Sequence, residues 1–272
     1  MSEKTIRPEP PGLGVYLRRV YQYRRLILVL AGRDLKAQYA QSVLGIFWAL
    51  IKPVIALVIF SIFFGVLLPF DDQITVAYPL FAFSGMVSWY YFTFVMINAG
   101  VSVTSSQDII KRIYFPKLIL PLSKVLTGLV EFGISAVLLV VMMIFYGETP
   151  GPQIVFFPVF LLLNILVGLS VGIWMAALSI RYRDLQHLLP YLVNFLIWLT
   201  PVFYPGTLIP EKYAHFLYMN PMAGVIAGFR WTLLGDAAPA WQYGYSMIPV
   251  LLLFLSGVWY FQRVERQMVD WA

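Results

Sequence analysis

Two glycines of this chain, Gly128 and Gly133, have the spacing of the loop that holds the phosphates of ATP. Such a loop continues with lysine and then serine or threonine, whereas Ile134 and Ser135 follow here, inside a long apolar run. We therefore expect no ATP hydrolysis by this chain through that motif, and no cofactor bound by the chain itself.

Acid–base and metal chemistry have little support in the sequence. His187 and His215 are the only histidines, and a whole apolar run separates them, which argues against a zinc pair or a catalytic triad. The absence of cysteine excludes disulfides, thiolate metal sites and cysteine nucleophiles. A membrane-embedded polymerase or transferase would cluster its acids near one membrane face, but these are scattered: Asp71, Asp72, Glu148, Glu211 and Asp236. We therefore expect no catalytic residues and no metal site, with that enzyme class kept as the weaker alternative.

The composition predicts an integral membrane protein. Of the 272 residues, 60% are hydrophobic and only 12% are charged, whereas a soluble domain has about 25% charged residues. The apolar runs nearly abut, which leaves no room for a separate globular domain. The predicted fold class is all-α, and a single membrane domain is expected.

Six runs have the length of a transmembrane helix, which needs about 20 mostly apolar residues. They cover residues 44 to 68, 79 to 103, 119 to 146, 154 to 180, 187 to 204 and 245 to 262. The segment 205–244 between the last two runs contains two shorter apolar pieces, broken at Asn220-Pro221. Neither piece is long enough to cross a hydrocarbon core about 30 Å thick. We expect two short re-entrant helices there, packed against protein or facing a wet cavity.

The distribution of lysine and arginine predicts that both termini are cytoplasmic. The bases concentrate before the first run, in the second-to-third and fourth-to-fifth connections, and after the last run. The other short connections contain acids and no base. The net charge of +6 is spread over four cytoplasmic pieces, so it indicates membrane topology and no nucleic-acid partner.

The stretch from Arg33 to Pro53 changes from amphipathic to wholly apolar without a turn. Leu35 and Tyr39 share one helical face, and polar residues occupy the others. This pattern predicts an amphipathic interface helix that continues into the first span. Its candidate residues are Arg33, Asp34, Lys36 and Tyr39. The predicted domains are a cytoplasmic segment at 1–43, the membrane domain at 44–262 and a cytoplasmic tail at 263–272.

The same stretch resembles the permease subunits of ABC-2 type exporters, especially those that move lipid-linked O antigen, capsule or teichoic acid polymers. The resemblance rests on Arg33-Asp34-Leu35-Lys36, Tyr39, Ser42-Val43-Leu44-Gly45, Trp48, Pro53, Lys111, Arg112, Phe115, Pro116, Pro121, Arg183, Asp184, Thr200-Pro201-Val202, Asn220-Pro221-Met222, Phe229-Arg230, Phe261, Arg263, Glu265, Arg266 and Asp270. It implies a bacterial inner-membrane subunit that pairs with a second copy and with two ABC ATPase subunits, which bind ATP and magnesium. A drug or simple lipid as cargo is the alternative within the same family.

The resemblance also implies that the connection at 105–121 forms a coupling helix that docks on the ATPase. The candidate coupling residues are Asp108, Lys111, Arg112, Phe115 and Pro116, together with Arg183 and Asp184 in the next cytoplasmic connection. An ordinary basic loop, or charges that stabilise helix ends at the headgroups, would give the same pattern.

Aromatic residues are candidates for a polysaccharide conduit, which the resemblance places mainly at the first and fifth spans. They are Phe47, Trp48, Phe195, Trp198 and Tyr204. Aromatic faces let a sugar polymer slide past without directional bonds. Aromatics that simply occupy the membrane interface are the alternative.

Two charges stand out in otherwise apolar surroundings. Glu131 is the single acid deep in a predicted span, so it should face protein or water. Lys124 lies on the same face but about 10 Å away along the helix, too far for a direct pair. A structural partner on another helix is expected for Glu131, with proton coupling as the alternative. Arg230, a base in the external segment, serves either the structure or an anionic ligand.

Overall fold

The computed structural model describes residues 12–40, 47–63, 74–182 and 184–265. Within these ranges every regular element is a helix and none is a strand. Several residues named above, including Ser42 to Gly45, Asp71, Asp72, Arg183, Arg266 and Asp270, lie outside the described residues.

The described ranges contain eleven α-helices with short 3-10 turns between them. They are α1 (Leu13–Gln22), α2 (Arg24–Tyr39), α3 (Trp48–Phe60), α4 (Tyr78–Val101), α5 (Gln107–Arg112), α6 (Ile119–Tyr146), α7 (Phe157–Leu178), α8 (Leu185–Leu199), α9 (Ala214–Tyr218), α10 (Pro221–Leu234) and α11 (Gly244–Val264).

Four of the predicted spans coincide with helices that are long and apolar enough to cross a membrane. In the described part of the chain these helical stretches are Tyr78–Val101, Ile119–Tyr146, Pro152–Leu178 and Trp241–Val264. The other two predicted spans correspond to shorter apolar helices, around α3 and in α8. The count of six spans therefore stays a prediction.

The fifth apolar run, predicted at 187 to 204, is helical only to Leu199. Thr200 has an extended backbone, with φ −108° and ψ 135°. It precedes Pro201, and a proline disfavours the helical conformation of the residue before it. The 15 residues of α8 span about 22 Å, less than the hydrocarbon core.

The long helix α4 lies at the centre of the fold and is buried along almost its whole length. It packs against α6, α7 and α10. Glycines on α7 permit the close approach: a Cβ atom at Gly172 would lie 2.7 Å from the Cβ of Ala99, and one at Gly168 would lie 3.0 Å from a methyl group of Val95. This is the small-residue packing typical of membrane helices.

The two shorter apolar pieces of the segment 205–244 form separate short helices, as the sequence predicts. The break falls at Asn220, whose side chain accepts a hydrogen bond from the backbone N–H of Met222 and caps α10. Ten of the fourteen residues of α10 are buried, against α4 and α7 among others. Short apolar helices of this kind need such protein packing at membrane depth; a re-entrant position stays a prediction.

Candidate functional site

The α5 connection presents charge to the surroundings. Asp108 lies in the first turn of α5, and Lys111 and Arg112 lie in its last turn, where each charge is favourable to the helix dipole. All three side chains are exposed. They are therefore free to contact another protein.

Phe115 and Pro116 lie on the inner side of the same connection. Phe115 is only 1% exposed, and Pro116 is also buried. Two of the five coupling candidates at 105–121 thus anchor the connection to the fold and are not available for docking while these contacts last. Apolar residues suit both anchoring and docking, so the sequence alone could not assign Phe115 and Pro116 to one of these roles.

Two exposed residues of the connection were missed by the sequence reasoning. Ile113 has an extended backbone directly after α5 and is 56% exposed, and Tyr114 is 81% exposed. They add an apolar part to the charged surface of α5. Asp184, the described candidate of the second connection, is also exposed, whereas Arg183 lies outside the described residues.

The predicted interface helix is the second half of α2, and α2 packs along α6. The Asp34 carboxylate lies 2.5 Å from the Lys124 ammonium and 2.7 Å from the Arg33 guanidinium. Burial opposes ionisation of Asp34, but hydrogen bonds from Lys124 and Arg33 outweigh it and lower the pKa of Asp34. The carboxylate is therefore charged at neutral pH.

The deep acid Glu131 has its partners on α2. Its carboxylate accepts hydrogen bonds from the Gln38 amide and, at 3.4 Å, from the Tyr39 hydroxyl. Burial and the neighbouring carboxylate raise the pKa of Tyr39 to about 12, so its hydroxyl remains a donor at neutral pH. Arg33 and Lys36 are exposed. Polar residues of α2 thus bind Lys124 and Glu131 of α6, a contact that the amphipathic pattern did not predict.

Most of the predicted conduit aromatics have large exposed faces. Phe47 is 62%, Phe195 72% and Trp198 58% exposed. Tyr204 is half-buried, and its hydroxyl donates to the Trp198 carbonyl at 3.1 Å. The side chain of Trp48 lies outside what the structure describes.

The structure brings some of these aromatics together. The Trp198 ring lies 6.1 Å from that of Phe60 on α3, and Phe60 stacks on Phe203 with ring centroids 3.5 Å apart. This contact joins α3 to the chain that follows α8. Among the described residues, no ring contact joins Phe47 or Phe195 to this group.

Of the two roles expected for Arg230, a structural one and the binding of an anionic ligand, its contacts support the structural one. It is 4% exposed, and its guanidinium donates to the carbonyls of Pro201 and Val202 at 2.9 Å and 2.7 Å. It also lies over the ring of Phe81, 3.5 Å from the centroid. The guanidinium thus satisfies backbone groups freed where α8 ends.

The sequence pattern of the ABC-2 type transporter family matches residues 25–234. The chain belongs to this family. The match begins within α2 and ends with α10. It covers the α5 connection, the α2–α6 contact and the aromatics of α3 and α8, so all the regions described above are parts of an ABC-2 type transporter chain.

Similar ABC-2 type proteins match most of this chain. The O-antigen export system permease protein RfbA of Myxococcus xanthus is 30% identical over 256 residues, 92% of this chain and 96% of that protein. RfbA of Klebsiella pneumoniae is 27% identical over 206 residues, 75% of this chain and 78% of that protein. The polysialic acid transport protein KpsM of Escherichia coli is 23% identical over 245 residues, 88% and 93% of the two chains.

One further polar cluster of this ABC-2 type chain was not foreseen. Glu265, just after α11, contacts Tyr16 of α1 and Lys117 of the connection between α5 and α6. Tyr16 and Glu265 lie 249 residues apart in the sequence. No local pattern could have paired them.

Proposed function

We propose that this chain is the transmembrane permease subunit of an ATP-driven exporter that moves a lipid-linked polysaccharide across the bacterial inner membrane. O antigen is the first candidate cargo, and capsule or teichoic acid polymers are the related ones. The observation that carries this proposal is the 30% identity, over almost the whole of both chains, with a permease of O-antigen export.

In the proposed arrangement the six spans are α3, α4, α6, α7, α8 and α11, and both termini are cytoplasmic. Lysine and arginine concentrate before the first span, in the second-to-third and fourth-to-fifth connections and after the last span, which supports this orientation. α2 is the interface helix, and α9 and α10 are the external re-entrant helices. α8 has only 15 residues, too few to cross the hydrocarbon core, which supports a place against protein or a wet cavity rather than in bulk lipid.

Two copies of the chain would enclose the conduit between them. α8 supports this role, because Tyr191, Phe195 and Trp198 follow one another at helical spacing on an exposed face. Aromatic rings offer large apolar surfaces to the C–H faces of sugar rings. Because such contacts are weakly directional, a polymer could pass without being held at one register.

In this proposal, two separate ABC ATPase subunits bind ATP and magnesium, and their ATP hydrolysis supplies the energy for transport. They would contact the exposed surface formed by Asp108, Lys111, Arg112, Ile113 and Tyr114. Asp184 would extend this surface from the second connection. Phe115 and Pro116 would hold the connection to the membrane domain, so that a push on α5 reaches α6.

Inactivation of the gene, followed by fractionation of surface and intracellular polysaccharide, tests the cargo. We expect lipid-linked polymer to accumulate inside and to be absent from the surface. Polymer that is never made would instead favour a synthase. An unchanged surface would overturn the polysaccharide assignment and favour a lipid or drug as cargo.

Complementation with point variants tests the conduit residues. Phe195→Ala and Trp198→Ala should reduce surface polymer at an unchanged level of protein in the membrane. Phe145→Ala is the matched control, because Phe145 on α6 is 82% exposed but is not part of the proposed conduit. Equal export by all three variants would contradict the conduit assignment without affecting the cargo.

A further inference from the structure

Three elements that are distant in the sequence meet at the carboxylate of Glu265. One oxygen accepts a hydrogen bond from the Tyr16 hydroxyl of α1. The other accepts one from the backbone N–H of Lys117 at 3.0 Å and lies 3.8 Å from the Lys117 ammonium. Glu265 itself follows directly after α11. We call these three residues the Glu265 clasp.

The clasp is largely shielded from water. The side chains of Lys117 and Glu265 are 7% and 14% exposed, and Tyr16 is 5% exposed. Burial and the nearby Glu265 charge raise the pKa of Tyr16 far above its usual range, so the phenol remains protonated and donates. Since each donor would be left buried without Glu265, the three elements are held as a unit.

The position of Lys117 connects the clasp to the α5 connection. Lys117 follows the buried Phe115 and Pro116, and α6 begins two residues later, at Ile119. The exposed residues of α5 lie just before them. Only a short, buried piece of chain therefore separates α5 from the backbone N–H that donates to Glu265.

We propose that Glu265 is a positioning residue that transmits movement of the α5 connection to α1 and to α11. The inference rests on the proposed function, in which a partner ATPase moves α5. The clasp adds a second route to the direct one through α6. The residues that it positions are those of α1 and α11.

Substitutions of Glu265 should separate transmission from assembly. Glu265→Ala removes all three interactions, whereas Glu265→Gln keeps an acceptor oxygen but loses the charge that attracts the Lys117 ammonium. Glu211→Gln is the matched control, because Glu211 is an exposed acid in the segment between α8 and α9. Tyr16→Phe removes one hydroxyl at nearly constant volume and is the mildest test.

The first measurement uses the purified complex with its ATPase subunits in liposomes, with ATP hydrolysis and polymer transport followed together. We expect Glu265→Ala to keep its ATP hydrolysis while transport per ATP falls about 5-fold or more, the lower end of typical coupling between sites. Glu265→Gln and Tyr16→Phe should show smaller losses. Tyr16→Phe should add nothing to Glu265→Ala, because residues of one unit are not additive. Unchanged transport per ATP in a folded Glu265→Ala complex would overturn the proposal.

A second measurement does not depend on the cargo. The chain has no cysteine, so Leu17→Cys, at a position of α1 that is 48% exposed, gives each copy of the chain one site for a fluorescent probe on α1. Nucleotide added to the complex should change the probe signal, and Glu265→Ala should abolish that change. A change that persists in Glu265→Ala would overturn the clasp. If the unmodified complex transports no polysaccharide but shows the Glu265-dependent change, the cargo assignment fails and the clasp stands.

Discussion

The ammonium of Lys124 on α6 lies 2.5 Å from the carboxylate of Asp34 on α2. One to two turns further along both helices, Glu131 of α6 accepts hydrogen bonds from Gln38 and Tyr39 of α2. Both contacts follow the chain in the same direction, so the two helices run parallel here. Lys124 and Glu131 of α6 thus fix the register of α2 against it.

Loss of the Lys124 ammonium should weaken this attachment. Lys124→Met leaves the Asp34 carboxylate, which is 16% exposed, with Arg33 as its remaining partner. We expect the free energy of unfolding to fall by about 1.5–3 kcal/mol, because Asp34 loses the charge-assisted hydrogen bond from Lys124. A titration with SDS in detergent measures it.

Lys36→Met is the control for this prediction, because Lys36 lies on the same helix α2 but is exposed. It should change the free energy of unfolding by less than about 0.5 kcal/mol. The double variant Asp34→Asn with Lys124→Met should lose less than the sum of the two single losses. Strict additivity would show that the ion pair contributes nothing to stability.

The same contact predicts a pH dependence. The pKa of Asp34 is lowered from its ordinary value of 3.8, chiefly by hydrogen bonds from Lys124 and Arg33 that outweigh burial. A lowered pKa in the folded state stabilises the protein above the ordinary value, and this stabilisation disappears as the pH falls through the folded pKa. The difference in unfolding free energy between the natural chain and Asp34→Asn should therefore be constant from about pH 7 to pH 5 and shrink below about pH 4. A difference that grows on acidification would contradict the assigned ion pair.

Glu131 offers a test of structure against proton coupling. Glu131→Gln keeps an oxygen that can accept from Gln38 and Tyr39, whereas Glu131→Leu leaves both donors without this acceptor. We expect Gln to retain transport and most of the stability, and Leu to cost about 1–3 kcal/mol. Transport measured in cells at several external pH values decides the role. Loss of transport in a stably folded Glu131→Gln variant would favour a proton-carrying role.

The sequence predicted those features that depend on neighbouring residues. Runs of apolar residues located α4, α6, α7 and α11, and Asn220-Pro221 located the break before α10. The partners of Glu131 could not be predicted, since Gln38 lies 93 residues away and its contact depends on how α2 packs. The partners of Arg230 could not be predicted either. Its acceptors are the backbone carbonyls of Pro201 and Val202, and every residue has such a carbonyl.

The Arg230 contact leaves no room for a side chain at Gly85 of α4. A matched pair of glycines tests this. A Cβ atom at Gly85 would lie 2.7 Å from the Val202 carbonyl oxygen and 2.9 Å from the Arg230 guanidinium, whereas one at Gly133 on α6 would meet nothing within 4 Å. Gly85→Ala should therefore cost about 1–3 kcal/mol through overpacking. Gly133→Ala should stabilise the chain by about 0.5–1 kcal/mol, because alanine favours the helix. Unfolding in SDS measures both, and equal effects of the two substitutions would contradict the placement of Arg230 between α4 and the end of α8.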